Sequence, residues 1–115
     1  MRNSLQLSFL LLLIISCSTS KKQTNSIEFD KMKRVVWQLM KADEFYIRSS
    51  VTDSTVIPSK KNVQYYQQIF DLYKIDRVEF YQDIEYYESH PIEFKILMDS
   101  VNELSKREKN GIKPF

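Results

Sequence analysis

Glycine is nearly absent from this chain, with Gly111 the only one among 115 residues. A loop that cradles phosphate needs several glycines, because backbone N–H groups must approach the phosphate closely, so the sequence excludes this class of nucleotide site. Histidine and cysteine also occur once each, as His90 and Cys17. No set of residues has the spacing of a metal site, and we expect neither a metal nor another cofactor.

An excess of one charge is also missing, since 17 Lys and Arg residues face 15 Asp and Glu residues. Nucleic-acid binding needs a basic stripe, and this sequence has none, so we expect no nucleic-acid partner. Three prolines and one glycine leave few turns, while 43% of the residues are hydrophobic. This composition predicts an all-α fold of a few long helices.

The N-terminus has the pattern of a secretion signal over residues 1–16. Arg2 provides the positive charge, and Phe9 to Ile15 provide an apolar segment that is shorter than the roughly 20 residues needed to span a bilayer. The residues Ile14, Ile15, Ser16 and Cys17 resemble the lipobox of bacterial lipoproteins. The resemblance implies that diacylglycerol is attached to Cys17, that the chain is cleaved before it, and that the new amino group is acylated, for example with palmitate.

Chemistry supports this interpretation of Cys17, because a lone exported cysteine has no disulfide partner within the chain. An ordinary signal peptide that leaves a free thiol is the alternative. Residues 17–25 are polar after the cysteine and predict a flexible tether. Ser18, by analogy with enteric lipoproteins, favours the outer membrane, with the protein facing the periplasm.

Residues 26–115 predict a small bundle of about four helices. Ser26 is the expected N-cap of a first helix that ends near Arg48, followed by a loop over residues 49–59. A second helix is expected over residues 60–74. The third helix starts after Asp76, which has capping-box spacing to Glu79, and the fourth starts at Pro91 with His90 at the N-cap position. Asn110 and Gly111 are expected to end it in left-handed conformation.

Apolar residues at steps of three and four predict the inner faces of these helices. The first face comprises Phe29, Met32, Val36, Leu39, Tyr46 and Ile47. The second comprises Val63, Tyr65, Tyr66, Ile69, Phe70, Leu72 and Tyr73. The third comprises Phe80, Tyr81, Ile84 and Tyr87, and the fourth Phe94, Leu97, Met98, Val101 and Leu104.

The stretch "YYQQIFDLYKIDRVEFYQDIEYYESHPIEFKILMDSV", from Tyr65 to Val101, resembles an uncharacterised family of Bacteroidetes lipoproteins, domain of unknown function 4296. A Tyr-rich helix, a short capped turn, a helix with "F…YY" and an "HP" start to the last helix occur there in the same order. The resemblance implies a membrane-anchored helical protein that faces the periplasm. It gives no activity to transfer.

Asp43 is the polar residue that the helical pattern places within the apolar face of the first helix. A buried carboxylate needs partners, and Arg77, His90 or a tyrosine hydroxyl could provide one. One hypothesis is a carboxylate that contacts a ligand or handles a proton. We favour the other, a structural hydrogen-bond anchor between helices.

His90, Tyr66 and Tyr87 are further candidates for polar contacts with a ligand. His90 is more simply explained by the turn before the fourth helix. The tyrosines belong to adjacent pairs that lie about 100° apart on a helix, so neither pair forms one flat platform for a sugar or a base. Core packing with the hydroxyls at the rim is the favoured interpretation.

Several apolar residues lie outside the predicted inner faces. They are Trp37, Phe45, Val78, Tyr86, Ile92 and Ile96. If they cluster, they form a surface for a protein partner. We therefore expect a non-enzymatic interaction module of the cell envelope, anchored by lipid on Cys17. The alternative is a binder of a small ligand or lipid fragment in a groove between helices, with Asp43 as a polar contact.

Overall fold

The computed structural model describes residues 26–57 and 59–111. Within that part of the chain there are four α-helices and no strands, which confirms the predicted all-α bundle. The helices are α1 (Phe29–Thr52), α2 (Lys61–Tyr73), α3 (Arg77–Ser89) and α4 (Pro91–Lys109). The predicted signal peptide, Cys17, the tether, Pro58 and Pro114 lie outside the described residues.

Both predicted ends of α1 were wrong. The N-cap residue is Glu28, which makes no side-chain capping bond, whereas Ser26 is held by a residue of α3. At the other end α1 continues past Arg48 to Thr52, into the predicted loop. The hydroxyls there bond within the helix, since Ser50 donates to the Ile47 carbonyl at 2.7 Å. Polar residues that find such partners do not have to end a helix.

The predicted bounds of α2 are correct to within one residue at each end. Lys60 and Lys74, which flank it, both have left-handed backbone conformation, with φ of 51° and 52°. After the helix the Ile75 N–H donates to the Phe70 carbonyl at 3.0 Å, as in a Schellman motif. Ile75 and Phe70 are both buried, so this turn also closes part of the core.

The predicted starts of α3 and α4 are confirmed. The Asp76 carboxylate accepts from the N–H groups of Val78 at 2.8 Å and Glu79 at 3.1 Å. His90 precedes α4, and Pro91 is its first residue. At the end of α4 the predicted left-handed pair is half right, because Gly111 has φ of 71° while Asn110 has φ of −86°.

Helices α1 and α4 are packed together and run in the same direction. The Trp37 indole N–H of α1 donates to Glu108 near the end of α4. Nearer the start of both helices, Asp30 and Asp99 line the same groove. The order of these contacts along the two helices shows that they are parallel.

Helix α2 is packed against the C-terminal half of α1 in the opposite direction. Phe45 and Tyr65 meet edge to face with ring centroids 5.8 Å apart, and Gln38 lines the same groove as Leu72. Helix α3 is packed against α4, and its first turn reaches back to α2, since the rings of Phe70 and Phe80 are 5.0 Å apart. α1 is therefore packed against both α2 and α4, whereas α3 is packed mainly against α4.

The core lies where α1 meets α4 and the α2–α3 corner. Its buried members include Met32, Val35, Leu39, Phe70, Phe80, Tyr87, Leu97 and Val101. Five residues predicted to point inward are exposed, namely Ile47 (61%), Val63, Leu72 (75%), Tyr81 (44%) and Phe94. Leu72 lies about 200° around α2 from buried Phe70, so one helix face cannot bury both. In α3 the inward position next to Phe80 is taken by Asp83, not by Tyr81.

Candidate functional site

Asp43 and Tyr66 form a polar pair between α1 and α2. The Tyr66 hydroxyl donates to both carboxylate oxygens of Asp43, at 2.7 Å each. Of the three partners that the sequence suggested, the tyrosine hydroxyl is therefore the one that bonds Asp43. Burial and the Asp43 carboxylate raise the pKa of Tyr66 above its ordinary value, so the phenol keeps its proton.

The surroundings of this pair are open. Asp43 lines a surface recess of about 460 Å³ together with Met40, Glu44, Ile47 and Arg48. Glu44 and Arg48 are paired with each other at 2.6 Å across one turn of α1. An enzyme or small-ligand site usually encloses its polar group. The arrangement around Asp43 is instead that of a hydrogen bond that ties two helices together at their edge.

The fully buried carboxylate belongs to Asp83 of α3, which is 2% exposed. It accepts hydrogen bonds from the Ser26 N–H at 2.9 and 3.0 Å, from the Ser26 hydroxyl at 3.2 Å and from the Ile27 N–H at 2.7 Å. These bonds satisfy a charged group that would otherwise be costly to bury. Asp83 thus fixes the chain just before α1 begins, and we call this contact the Asp83 clamp.

Sequence reasoning missed Asp83, although the signal that selected Asp43 was present. On the wheel of α3, Asp83 lies between Phe80, Ile84 and Tyr87, all predicted to point inward. Because Ser26 was assigned as the N-cap of the first helix, it was not considered as a partner for Asp83. The N–H and hydroxyl of Ser26 donate to a side chain 57 residues away, not to the first turn of α1.

His90 lies at the exposed corner between α3 and α4. Its Nδ1 is 2.7 Å from the Tyr86 carbonyl and 3.0 Å from the Ser89 hydroxyl, and its ring stacks on Tyr86 with centroids 4.1 Å apart. All of these contacts are with residues of the corner itself, and none of them is with Asp43 or Tyr66.

The predicted outer apolar residues lie in separate places. Tyr86 and Ile96 line one cavity together, whereas Phe45 lines a groove between α1 and α2. Trp37 and Tyr86 are half-buried against the core, so they are not outer residues in the sense that we expected. Ile92, in the first turn of α4, is exposed.

The groove between α1 and α2 has a volume of about 350 Å³. Its apolar lining comprises Phe45, Tyr65, Ile69 and Leu72, with Gln38 and Gln68 among its polar members. Phe45 and Leu72 are both exposed. We call this surface the α1–α2 groove.

A family model described as "Domain of unknown function (DUF4296)" matches residues 24–110. The chain belongs to this family. The match covers α1 to α4, and it confirms the domain of unknown function that the Tyr65 to Val101 stretch indicated. Comparison with curated proteins and with solved structures gave no match.

In residues 26–57 and 59–111 of the DUF4296 domain, no group of three or more His, Cys, Asp or Glu side chains could hold a metal ion. In the same residues, no helix has the length and apolar character needed to cross a membrane.

Proposed function

We propose that this DUF4296 protein is a lipoprotein of the bacterial cell envelope, whose helical domain binds another protein and catalyses no reaction. The domain is attached through lipid on Cys17 and stands in the periplasm at the outer membrane. The observation that carries the binding role is the exposed apolar lining of the α1–α2 groove.

The anchor is supported by the pattern of the N-terminal residues. An apolar segment that is too short to span a bilayer ends at the lipobox-like residues Ile14 to Cys17. Each buried CH₂ of an acyl chain contributes about 0.8 kcal/mol, and more than one chain gives stable attachment. The resemblance to Bacteroidetes lipoproteins points in the same direction.

The binding role is supported by the composition of the α1–α2 groove. Two aromatic rings, Phe45 and Tyr65, lie beside Ile69 and Leu72, and two glutamines provide amide groups for hydrogen bonds. Aromatic anchors with a polar rim are typical of protein interfaces. The groove runs between two antiparallel helices, so the occupant that fits it is the apolar face of an amphipathic helix from an envelope protein.

The absence of catalysis is supported by the hydrogen bonds that the carboxylates of Asp43 and Asp83 already accept. Asp43 is bonded to Tyr66 in an open recess, and Asp83 is bonded by backbone groups. A general base has to reach a substrate proton within about 3 Å, and both carboxylates are already occupied by structural donors.

The anchor is tested with Cys17→Ser in cells that are fed an alkyne analogue of palmitate. We expect the unchanged protein to carry the label and to fractionate with membranes. The variant should lose the label and keep the signal segment, which a mass measurement detects. A Cys17→Ser protein that still carries the label would overturn the anchor.

The α1–α2 groove is tested by placing a photoreactive phenylalanine analogue at Leu72 in intact cells. We expect one discrete crosslinked protein, whose yield falls strongly when Phe45 is also changed to Ser. The same analogue at Glu85, an exposed position on α3 outside the groove, is the matched control. Identical adducts at both positions, or no effect of Phe45→Ser in a variant with unchanged thermal unfolding, would contradict the binding role.

A further inference from the structure

A small cavity lies where the start of α1 meets the corner between α3 and α4. Its volume is about 250 Å³, and it is lined by Phe29, Tyr86, Tyr87, Glu93 and Ile96. It is separate from the α1–α2 groove, with which it shares no lining residue. Three of its five lining residues are aromatic and one is a carboxylate, which is an unusual combination for a surface hollow.

Two of the aromatic rings meet at nearly a right angle. Tyr86 and Tyr87 have ring centroids 5.6 Å apart and an angle of 80° between their planes, and Phe29 lines the cavity from α1. The face of an aromatic ring is electrostatically negative and attracts a cation within about 6 Å of the ring centre. Tyr87 is only 2% exposed, so the rings that a small cation can contact are those of Tyr86 and Phe29, which come from two different helices.

These walls are held in place before any ligand arrives. Tyr87 is buried in the core, and Tyr86 is held by the stacked ring of His90, whose plane is inclined to it by 23°. A cavity whose walls are already fixed loses little conformational entropy on binding. The stack also covers one face of Tyr86, so a cation can approach this ring only at its other face.

Glu93 is the only acidic or basic residue among the described residues that line the cavity. It accepts a hydrogen bond from Tyr86 and thereby raises the pKa of that phenol. A carboxylate offers about four lone-pair positions, so one bond to Tyr86 leaves capacity for a further donor. The net charge of the cavity lining is negative.

We infer that this cavity binds an alkylammonium group, with the aromatic rings around its methyl or methylene groups and Glu93 as its counter-ion. The ligand is either the amine of a lipid headgroup or a free small amine, because both present the same chemistry. This inference does not depend on the α1–α2 groove, so it can fail while the proposed partner binding holds.

The test uses the full-length protein in maltoside micelles, which carry no ammonium group, with backbone amide NMR as the readout. Choline is titrated against 3,3-dimethylbutan-1-ol, its neutral carbon analogue of nearly the same shape. We expect choline to shift the amides of Phe29, Tyr86 and Tyr87, with an affinity roughly tenfold above that of the neutral analogue, from cation–π attraction to the rings of Tyr86 and Phe29 and from the charge of Glu93. Equal affinities would overturn the inference.

Two variants separate charge from shape. Glu93→Gln keeps the size of the side chain and an acceptor for Tyr86, and it should weaken choline binding about fivefold without changing the affinity of the neutral analogue. Glu103→Gln, on the same helix but outside this cavity, is the matched control and should leave choline binding unchanged. Choline binding that is unaffected by Glu93→Gln would refute the role of the carboxylate and with it the proposal.

The source of the ammonium group is tested in nanodiscs. If the lipid headgroup is the ligand, phosphatidylethanolamine discs shift the same three amides, phosphatidylglycerol discs do not, and Glu93→Gln removes the difference. If a free amine is the ligand, choline shifts these amides in both kinds of disc. Absence of any shift with choline and with phosphatidylethanolamine would show that the cavity is not an ammonium site.

Discussion

Removing the Asp83 clamp is expected to destabilise the domain more than any other single change to a charged residue. Asp83→Ala leaves the buried N–H of Ile27 without its acceptor at 2.7 Å and also removes the bonds to Ser26. A hydrogen bond to a charged group contributes about 1.5–3 kcal/mol, and an unsatisfied buried donor costs about 1–3 kcal/mol. We therefore expect the free energy of unfolding to fall by about 3 kcal/mol.

Asp83→Asn refines this expectation, because the amide keeps one carbonyl oxygen for Ile27 but loses the negative charge. We expect a loss of about 1.5 kcal/mol, intermediate between unchanged protein and Asp83→Ala. Urea unfolding followed by circular dichroism measures both losses. The assay uses a chain that begins at Ser18, which keeps every described residue. Hydrogen exchange at the Ile27 amide should accelerate in both variants.

The control is Asp99→Asn, which removes an exposed carboxylate paired with Lys95 at 2.5 Å. Exposed pairs contribute little, so this change should cost under about 0.5 kcal/mol. The reasoning is refuted if Asp83→Asn is as stable as the unchanged chain while the Ile27 amide stays protected. Such a result would mean that the cost of burying the charge cancels the hydrogen bonds it accepts.

Three other perturbations have expected outcomes. Tyr66→Phe should cost about 1 kcal/mol near pH 7 through the lost bond to Asp43. Because the pKa of Tyr66 is raised in the folded protein, this stabilisation is complete below the unfolded pKa near 10 and is lost as the pH rises above it. The free energies of unfolding of the two proteins, measured with urea, should therefore converge at alkaline pH. Glu108→Gln should cost under about 1 kcal/mol, because hydrogen bonds from Lys41 and Trp37 lower the pKa of an exposed carboxyl. That stabilisation is present above the unfolded pKa near 4.5 and is lost as the pH falls through the lower folded pKa, so equal losses at pH 7 and pH 2 would contradict it. Leu97→Ala should cost about 2–5 kcal/mol in thermal unfolding, since Leu97 is fully buried, and a smaller loss would show that the core collapses around the missing methyl groups.

Local signals predicted much of the fold correctly. Asp76 marks the start of α3 through hydrogen bonds to the next residues of the chain, and Pro91 marks the start of α4 through its fixed backbone angle. Gly111 marks the end of α4 through its left-handed backbone conformation. The end of α1 was predicted too early because its last residues are polar. Ser50 and Thr52 are ambiguous in sequence, because their hydroxyls can bond inside a helix as well as in a loop.

The candidate sites were less predictable, because their partners are distant in sequence. Periodicity placed Asp43 within the apolar face of α1, but which of three groups would bond it depended on how α2 lies against α1. The bonds between Asp83 and Ser26 join residues 57 apart. The sequence indicated that Tyr86 and Tyr87 point in different directions, but their proximity to Phe29 follows from how α1 meets the α3–α4 corner.

The parallel pairing of α1 with α4 has a consequence for how the domain is completed during synthesis. α4 is made after α1, α2 and α3, yet it is packed along α1, and Trp37 and Glu108, which join the two helices, are 71 residues apart. Until α4 has emerged, the face of α1 that it covers has no intramolecular partner. The core face of α1 is therefore completed only when α4 is made, so a chain shortened before α4 should be captured by chaperones or proteases instead of folding in part.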